Sequence, residues 1–405
     1  MIPFEQAHRY VVDAVSVLDT VDLPLLDAAG LVVAVDVASS IDVPPFDSSA
    51  MDGIAVRAAD TLPGARLKVV GTVAAGSGRR VEVGAREAVR IMTGAPVPTG
   101  ADAVVMVEQL SFDGDEVTLD RATEPGANVR PAGDDVGAGD LAIAAGSIVT
   151  PAVIGTAGTV GLDTLPVVRR PAVGVFSTGD ELVEPGLPLG PGQIHDSNRR
   201  ALLALVARLG CTPVDLGCLP DDRDRIEQAL LTAVEACDAV VTSGGVSMGE
   251  FDEVKAVLAR IADMRWMQIA IRPAKPLAFG TVTSDGGGSV PVFGLPGNPV
   301  SAHVSFELFA RPALRRMMGH ERLDLRRLRA IAPAGIQRRR DGKVHFDRAV
   351  LDVVPDGSLS VTALGRQGSH QTVAMASANA LAVVPDGEGV PPGGSVEVIP
   401  LRSDW

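Results

Sequence analysis

Residues 171–182 read PAVGVFSTGDEL: an apolar run, Ala172–Phe176, that stops in a small polar loop, Ser177-Thr178-Gly179-Asp180-Glu181-Leu182. A short apolar run bounded by a turn signal fits a strand buried on both faces. The same unit recurs downstream. The pattern predicts a helix over 198–209, a strand over 212–216, a helix over 223–237, a strand over 239–242 and a helix over 251–261. Strands at 267–271, 276–282 and 291–294 follow, then a helix from Pro299 to about Met318. Strands alternating with helices at this spacing imply a doubly wound, mainly parallel sheet. Ligands of such sheets sit beyond the carboxyl ends of the strands.

Three more loops at strand ends stand out. Residues 242–252 read TSGGVSMGEFD, 272–276 read RPAKP and 294–301 read GLPGNPVS. Glycine amides, hydroxyls, two basic groups and several carboxylates thereby gather on one sheet edge. Amides and a helix N-terminus favour anions. Asn298 is a natural N-cap and Pro299 a natural first helical residue. The constellation reads as a site for a phosphorylated ligand, and its carboxylates make sense if Mg²⁺ bridges carboxylate and phosphate oxygens. Taken singly, each loop could equally be a structural turn, Asp221 or Asp222 a helix cap, and Thr93 the acceptor for a turn amide.

Composition narrows the class. The net charge is −14 with only 13 aromatic residues in 405, which argues against nucleic-acid binding. The charge is uneven: residues from His320 onward carry +1, the first 319 carry −15. An anionic ligand must therefore draw on local basic groups. Arginine outnumbers lysine 32 to four, so Lys275, set between prolines, stands out as a compact point charge. Cys211, Cys218 and Cys237 fit neither a zinc site nor a disulfide framework and suggest a cytoplasmic protein with reduced thiols. No signal peptide is expected. The uncharged stretch 141–162 is long enough for a bilayer but lacks Lys/Arg anchors, so a buried strand and then a buried helix from Pro151 are expected rather than a membrane span.

Around the α/β segment lie other textures. A helix is predicted over 1–20. Residues 41–138 alternate short β runs with Gly/Pro turns, a small all-β unit. Residues 139–168 are too few for a domain and are expected to pack with the N-terminal helix, giving a discontinuous domain of 1–40 and 139–168 with the β unit inserted. The α/β domain spans 169–319. Residues 320–405 are β again, a small sandwich or barrel.

These motifs, in this order, resemble the MoeA family of molybdopterin molybdenumtransferases, which includes the gephyrin E domain. The similarity continues outside the α/β segment. Ser49-Ala50-Met51-Asp52-Gly53 resembles the family's SxMDGYA, with Ile54 for its Tyr. Residues 91–96 (IMTGAP) with 100–105 (GADAVV) resemble another signature, Arg130 with Gly133-Asp134-Asp135 its RxxGED, and Gly368-Ser369-His370 its GSH.

The resemblance implies an elongated, L-shaped homodimer of four-domain chains. It implies Mg²⁺-dependent insertion of molybdate into adenylylated molybdopterin with release of AMP. The cleft would lie between the α/β domain of one protomer and the inserted β domain of the other. It implies catalytic roles for Asp52, Thr93, Asp135, Glu181 and Asp252, with Asp221 and Asp252 as metal ligands. Ser243, Gly244, Gly245, Pro296, Gly297, Asn298 and Ser301 would bind the pterin substrate. Arg272, Lys275, Arg348 and Ser369 would hold molybdate. A molybdopterin adenylyltransferase or apo-molybdoenzymes are the partners it suggests. Two departures bear on the anion pocket: Ala274 replaces a family glycine, and Gln268 stands where some relatives carry Lys. The alternative is a non-catalytic cofactor-binding or scaffold paralogue of the same fold; a nucleotide-dependent enzyme of another pathway fits less well because of the flanking β domains.

Overall fold

The structure, a computed structural model, describes residues 1–78, 80–245 and 253–402. Its internal contacts divide it into two compact units: Met1–Val21, Gly30–Val32 and Val168–Trp405 form one, Asp22–Ala29 and Val33–Val167 the other.

In the first unit a six-stranded sheet runs in the order Thr212–Leu219, Ala172–Thr178, Ala239–Ser243, Ser289–Leu295, Pro276–Thr283, Ala262–Gln268. The first four strands are mutually parallel; the last two add antiparallel. Every position of Ala239–Ser243 is buried, and the strand opens on the apolar Ala239-Val240-Val241 before the small polar Thr242 and Ser243. The edge strand begins at Ala262, not at 267: its one face is exposed, so ADMRWMQ alternates instead of forming a run. Helices Asn198–Leu209, Arg223–Ala236 and Glu253–Ile261 accompany the sheet, and Phe176, Ile226, Leu230, Leu258 and Val292 close a core between them.

The helix expected from Pro299 to Met318 has three parts: Pro299–Ser305, a wider π-helical turn over Phe306–Ala310, and Arg311–Met317. Pro312 has no N–H to give Leu308, and its ring crowds that carbonyl; the wider turn relieves both.

Strands Leu328–Ala332, Val344–Val353, Leu359–Ala363, Ala380–Val384 and Gly394–Pro400 pair into a ring, a closed barrel. Ile271–Arg272 pairs in parallel with Val344–His345, which ties the 272–276 loop to the barrel.

The N-terminal helix is Phe4–Asp13, shorter than predicted. Its rings find aromatic partners in the first unit: Phe4 lies 5.6 Å from Phe309 and from Phe346, and Tyr10 5.9 Å from Phe279. Residues 139–167 belong to the second unit, where strand Leu141–Ile143 pairs with Val37–Ala38 and so ties this stretch to the 1–40 segment.

The second unit holds a six-stranded sheet, in the order Ala103–Met106, Gly53–Val56, Glu87–Ile91, Arg66–Val73, Glu116–Leu119, Leu110–Asp113. Strand Leu141–Ile143 and helix Pro151–Thr159 form where expected, the helix capped by the Thr150 hydroxyl accepting from the Val153 amide. Their expected burial fails. Of the helix only Ala157 is buried, and Leu141 is 56% exposed. An uncharged nine-residue helix presents more apolar surface than a single chain covers. Among the described residues no helix is long and apolar enough to cross a membrane.

Candidate functional site

Four strand ends of the first unit open into one cavity of about 710 Å³. Glu181 and Leu182 come from the first loop, Asp221 from the second, Ser243-Gly244-Gly245 from the third, and Pro296-Gly297-Asn298-Pro299 from the fourth; Pro276 and His370 also face it. The parallel register explains the convergence, since Ser177 lies opposite Ser243, and Ser243 opposite Leu295. Glycine is required where loops crowd. Gly179 has φ +150°, and a Cβ there would sit 2.6 Å from the Glu181 carboxylate. Gly244 has φ +99°, and its Cβ would sit 3.1 Å from the Thr178 carbonyl.

The alternatives for the acidic pair separate. Asp222 is the N-cap of helix Arg223–Ala236, accepting from the Arg225 amide at 2.9 Å, whereas Asp221 lines the cavity. Asn298 holds the N-cap position, but its side chain makes no capping bond. The Gly244 amide is engaged, donating to the Leu295 carbonyl at 3.1 Å. Asp252 lies outside the described residues.

The expected molybdate group does not line this cavity. Lys275 and Arg272 are exposed beside it in sequence, and Ser301 is buried. Arg348 is 1% exposed and donates to the Gly368 carbonyl at 3.0 Å and the Arg366 carbonyl at 2.5 Å. Its Nε is buried with no hydrogen-bond partner among the described residues. Burial holds its pKa down, partly offset by Asp347. Arg348 thus clamps the 366–370 loop, and Ser369 completes the fastening by accepting from the Val300 amide at 3.0 Å. The loop in turn presents His370 to the cavity. Ala274 has φ +71° and is 2% exposed, so the methyl group does sit in left-handed backbone.

In the second unit Asp52 Oδ1 accepts from the Thr93 amide at 2.7 Å and from the Thr93 hydroxyl at 2.9 Å. The amide bond, then the hydroxyl bond, lowers the Asp52 pKa and keeps an exposed carboxylate charged. Asp135 is in the same unit, its amide bonded to the Val43 carbonyl.

Sequence reasoning missed Asp196 and Asn198, both of which line the cavity. The Asn198 side-chain amide donates to Ser243 Oγ at 2.8 Å and to the Gly297 carbonyl at 2.7 Å, bolting two loops together. Asp196 accepts from Ser177 Oγ at 2.6 Å and from Arg199 Nε at 2.9 Å in the floor beneath. The signal was the run Asp196-Ser197-Asn198 before a helix, which reads as capping alone. Burial raises the Cys211 pKa to about 12 and those of Cys218 and Cys237 above their usual value, so none is poised as a nucleophile at neutral pH.

With that geometry in hand, the comparisons decide the family. The MoeA N-terminal region (domains I and II) matches residues 2–161, a probable molybdopterin-binding domain matches 174–316, and the MoeA C-terminal region (domain IV) matches 332–401. The chain belongs to the MoeA family. A molybdopterin molybdenumtransferase of Haemophilus influenzae is 38% identical over 99% of both chains. One of Bacillus subtilis is 34% identical over 100% of this chain and 96% of its own. The crystal structure of a molybdopterin biosynthesis MoeA protein of Pyrococcus horikoshii superposes with a TM-score of 0.84, covering 100% of each chain at 31% identity. The MoeA fold therefore extends over the whole chain, doubly wound sheet, inserted β unit and terminal barrel together.

Proposed function

We propose that this MoeA-family chain is a molybdopterin molybdenumtransferase that takes adenylylated molybdopterin and molybdate, releases AMP and yields molybdenum cofactor. The observation that carries the reading is the single cavity where Glu181, Asp221, Ser243-Gly244-Gly245 and Pro296-Gly297-Asn298 converge. A substrate of this kind carries phosphates, which the hydroxyl and amide donors suit, and the carboxylates need a cation to share it with them.

Mg²⁺ fits the donor set in kind. Four carboxylates line the cavity, Glu181, Asp196, Asp221 and Glu253, and among the described residues no three His, Cys, Asp or Glu side chains form a softer or fuller metal cage. A hard cation that keeps its waters needs only one or two such carboxylates, for which Asp221 is the described candidate. Bound there, it would neutralise charge on the phosphate being cleaved. The chain's own residues do the rest. Asn198 fixes Ser243 against the Gly297 loop, Asp196 fixes Ser177, and Arg348 fixes the loop that carries Ser369 and His370. Arg272, Lys275, Arg348 and Ser369 are proposed to receive molybdate beside the cavity, as cationic and hydroxyl donors to a tetrahedral dianion.

We further propose a homodimer of four-domain chains, in which the Asp52–Thr93 pair of one copy completes the site of the other. The exposed apolar side chains Leu26, Leu141 and Ile148 of the second unit support a covering partner. Half-buried or buried thiols of raised pKa suit the cytoplasm. The deciding experiment incubates the protein with adenylylated molybdopterin, molybdate and Mg²⁺ and measures AMP. Folded protein that releases none above background would sink the enzyme reading in favour of a scaffold. Mixing Asp52→Ala with Glu181→Ala chains should restore part of the activity; mixed dimers without recovery would refute the shared site.

A further inference from the structure

A second cavity lies on the first unit, away from the sheet edge. It measures about 920 Å³ and runs between helix Asn198–Leu209, the π-helical turn and the 325–328 and 400–402 segments. Five arginines line it: Arg208, Arg311, Arg315, Arg326 and Arg402. A single carboxylate, Glu307, lines it with them. Its charge is already shared, since it pairs with Arg208 and lies 3.6 Å from Arg311 Nε.

Asp324, outside the lining, also acts on Arg311, and the remaining guanidinium hydrogen bonds are to neutral carbonyls. Arg208 donates to Leu401, Arg311 to Leu323 and Arg315 to Arg322, at 3.1, 3.1 and 2.8 Å. Arg402 donates to Ala376 and Ala378 at 2.9 and 3.2 Å. Arg326 has no hydrogen bond or ion pair among the described residues. Carbonyls orient a guanidinium without cancelling its charge. Five guanidinium groups, four of them anchored by hydrogen bonds, thus surround one space with a single lining carboxylate, in a chain of net charge −14. Like charges gathered this way repel, and the arrangement is favourable only with an anion among them.

The field leaves a trace on the neighbours. Burial and then Arg311 and Arg322 push Arg315 down to about 10, and burial with Arg315 and Arg311 pushes His320 down to about 4. The other walls are apolar: Leu205, Phe306, Leu325 and Leu328. A bare inorganic ion would leave these and most of the volume unused.

We propose that this cavity is a second ligand site, for an organic phosphate that joins an apolar body to a group carrying at least two negative charges. The cleft of about 370 Å³ beside it shares Arg208, Leu205 and Leu401 with this cavity and Asn198 and Pro299 with the sheet-edge cavity. The two sites therefore adjoin one continuous groove.

The test uses the full chain and naphthyl phosphate, a dianion with an aromatic body, followed by fluorescence and calorimetry. Inorganic pyrophosphate and naphthol serve as single-feature probes. Arg326→Gln and Arg402→Gln are suited to the test because both side chains are exposed and the core stays intact. Each should weaken naphthyl phosphate binding by at least about tenfold, the effect of losing one charged hydrogen bond. Glu181→Gln, in the sheet-edge cavity, should leave that binding unchanged. Naphthyl phosphate should bind more tightly than either single-feature probe. Binding unaffected by both arginine changes overturns the proposal, as does equal binding of naphthol. Loss of binding in Glu181→Gln alone would mean that the phosphate binds at the sheet edge and that the second site does not exist.

Discussion

Replacing Asp196 by Asn tests whether the floor of the sheet-edge cavity is held by charge. Asp196 is 1% exposed and Arg199 2%. Its carboxylate accepts from Ser177 Oγ at 2.6 Å, from Arg199 Nε at 2.9 Å and from the Arg199 amide at 3.2 Å. Arg199 also pairs with Asp215 and Glu184, but those side chains are 49% and 39% exposed, so water screens them. Burial works against the charged guanidinium, yet bonds to Asp215 and Asp196 outweigh it, and the Arg199 pKa rises. Asn is nearly isosteric, and its oxygen can still accept from Ser177 Oγ and Arg199 Nε, which share Oδ2, but its N–H₂ then faces the Arg199 backbone amide and the charge that balances the guanidinium is gone. Breaking one partner from a buried pair costs about 3–5 kcal/mol. With Asp215 and Glu184 still in place the lower end applies, about 3 kcal/mol, or a fall in melting temperature of roughly 6–12 °C for a unit of this size. Thermal and urea denaturation of Asp196→Asn, Arg199→Met and the double variant measure it. The double variant should cost clearly less than the two singles together, because removing both charges leaves none orphaned. A loss under about 1 kcal/mol in Asp196→Asn, or strict additivity, would show that the exposed carboxylates alone hold Arg199 and would refute the reasoning.

Other outcomes follow from the same geometry. Asn198→Ala removes both bonds between the 243 and 297 loops; it should cost about 1–3 kcal/mol of stability and lower AMP release more than it raises the substrate requirement. Arg348→Met should raise the molybdate concentration for half-maximal insertion by about tenfold, through release of the Gly368-Ser369-His370 loop, and wild-type behaviour would remove Arg348 from the site. At Ala274, relief of left-handed strain by Gly is offset by the lost methyl and the freer unfolded chain, so stability should change by less than about 0.5 kcal/mol. The β-branched Ala274→Val should instead destabilise by roughly 2 kcal/mol or more in the same melt. His303 and His320, both held down to about 4, bind protons more readily when unfolded. Stability should therefore fall as pH drops from about 6.5 to about 4, and His320→Gln should flatten that part of the stability–pH curve.

The sequence by itself determined the parallel sheet and its loops. Strands buried on both faces, such as Ala172–Thr178 and Ala239–Ser243, open on apolar runs, and the small polar residues at their carboxyl ends mark where a ligand binds. It also determined the family, through co-linear motifs. Ala274 stands where the family carries glycine, and its φ of +71° lies in the left-handed region that glycine enters most readily, a local property of the backbone. Other features were decided only in three dimensions. The edge strand Ala262–Gln268 begins five residues before the predicted run, because a half-exposed strand carries a weaker apolar signal. The N-terminal helix shows an apolar face, but a face does not name its partner, and Phe4 meets Phe309 and Phe346 from more than 300 residues away in sequence. Arg348 reads in the sequence as an anion ligand, and only the fold shows that its guanidinium also clamps the 366–370 loop through the Gly368 and Arg366 carbonyls. Asp196 and Asn198 are residue types common at helix starts, so beside the 198–209 helix they carry no mark of a site in the sequence. Only the folded chain brings Ser243, Gly297 and Ser177 within hydrogen-bond reach of them, and hydrogen bonds between distant segments leave no periodic mark on a sequence.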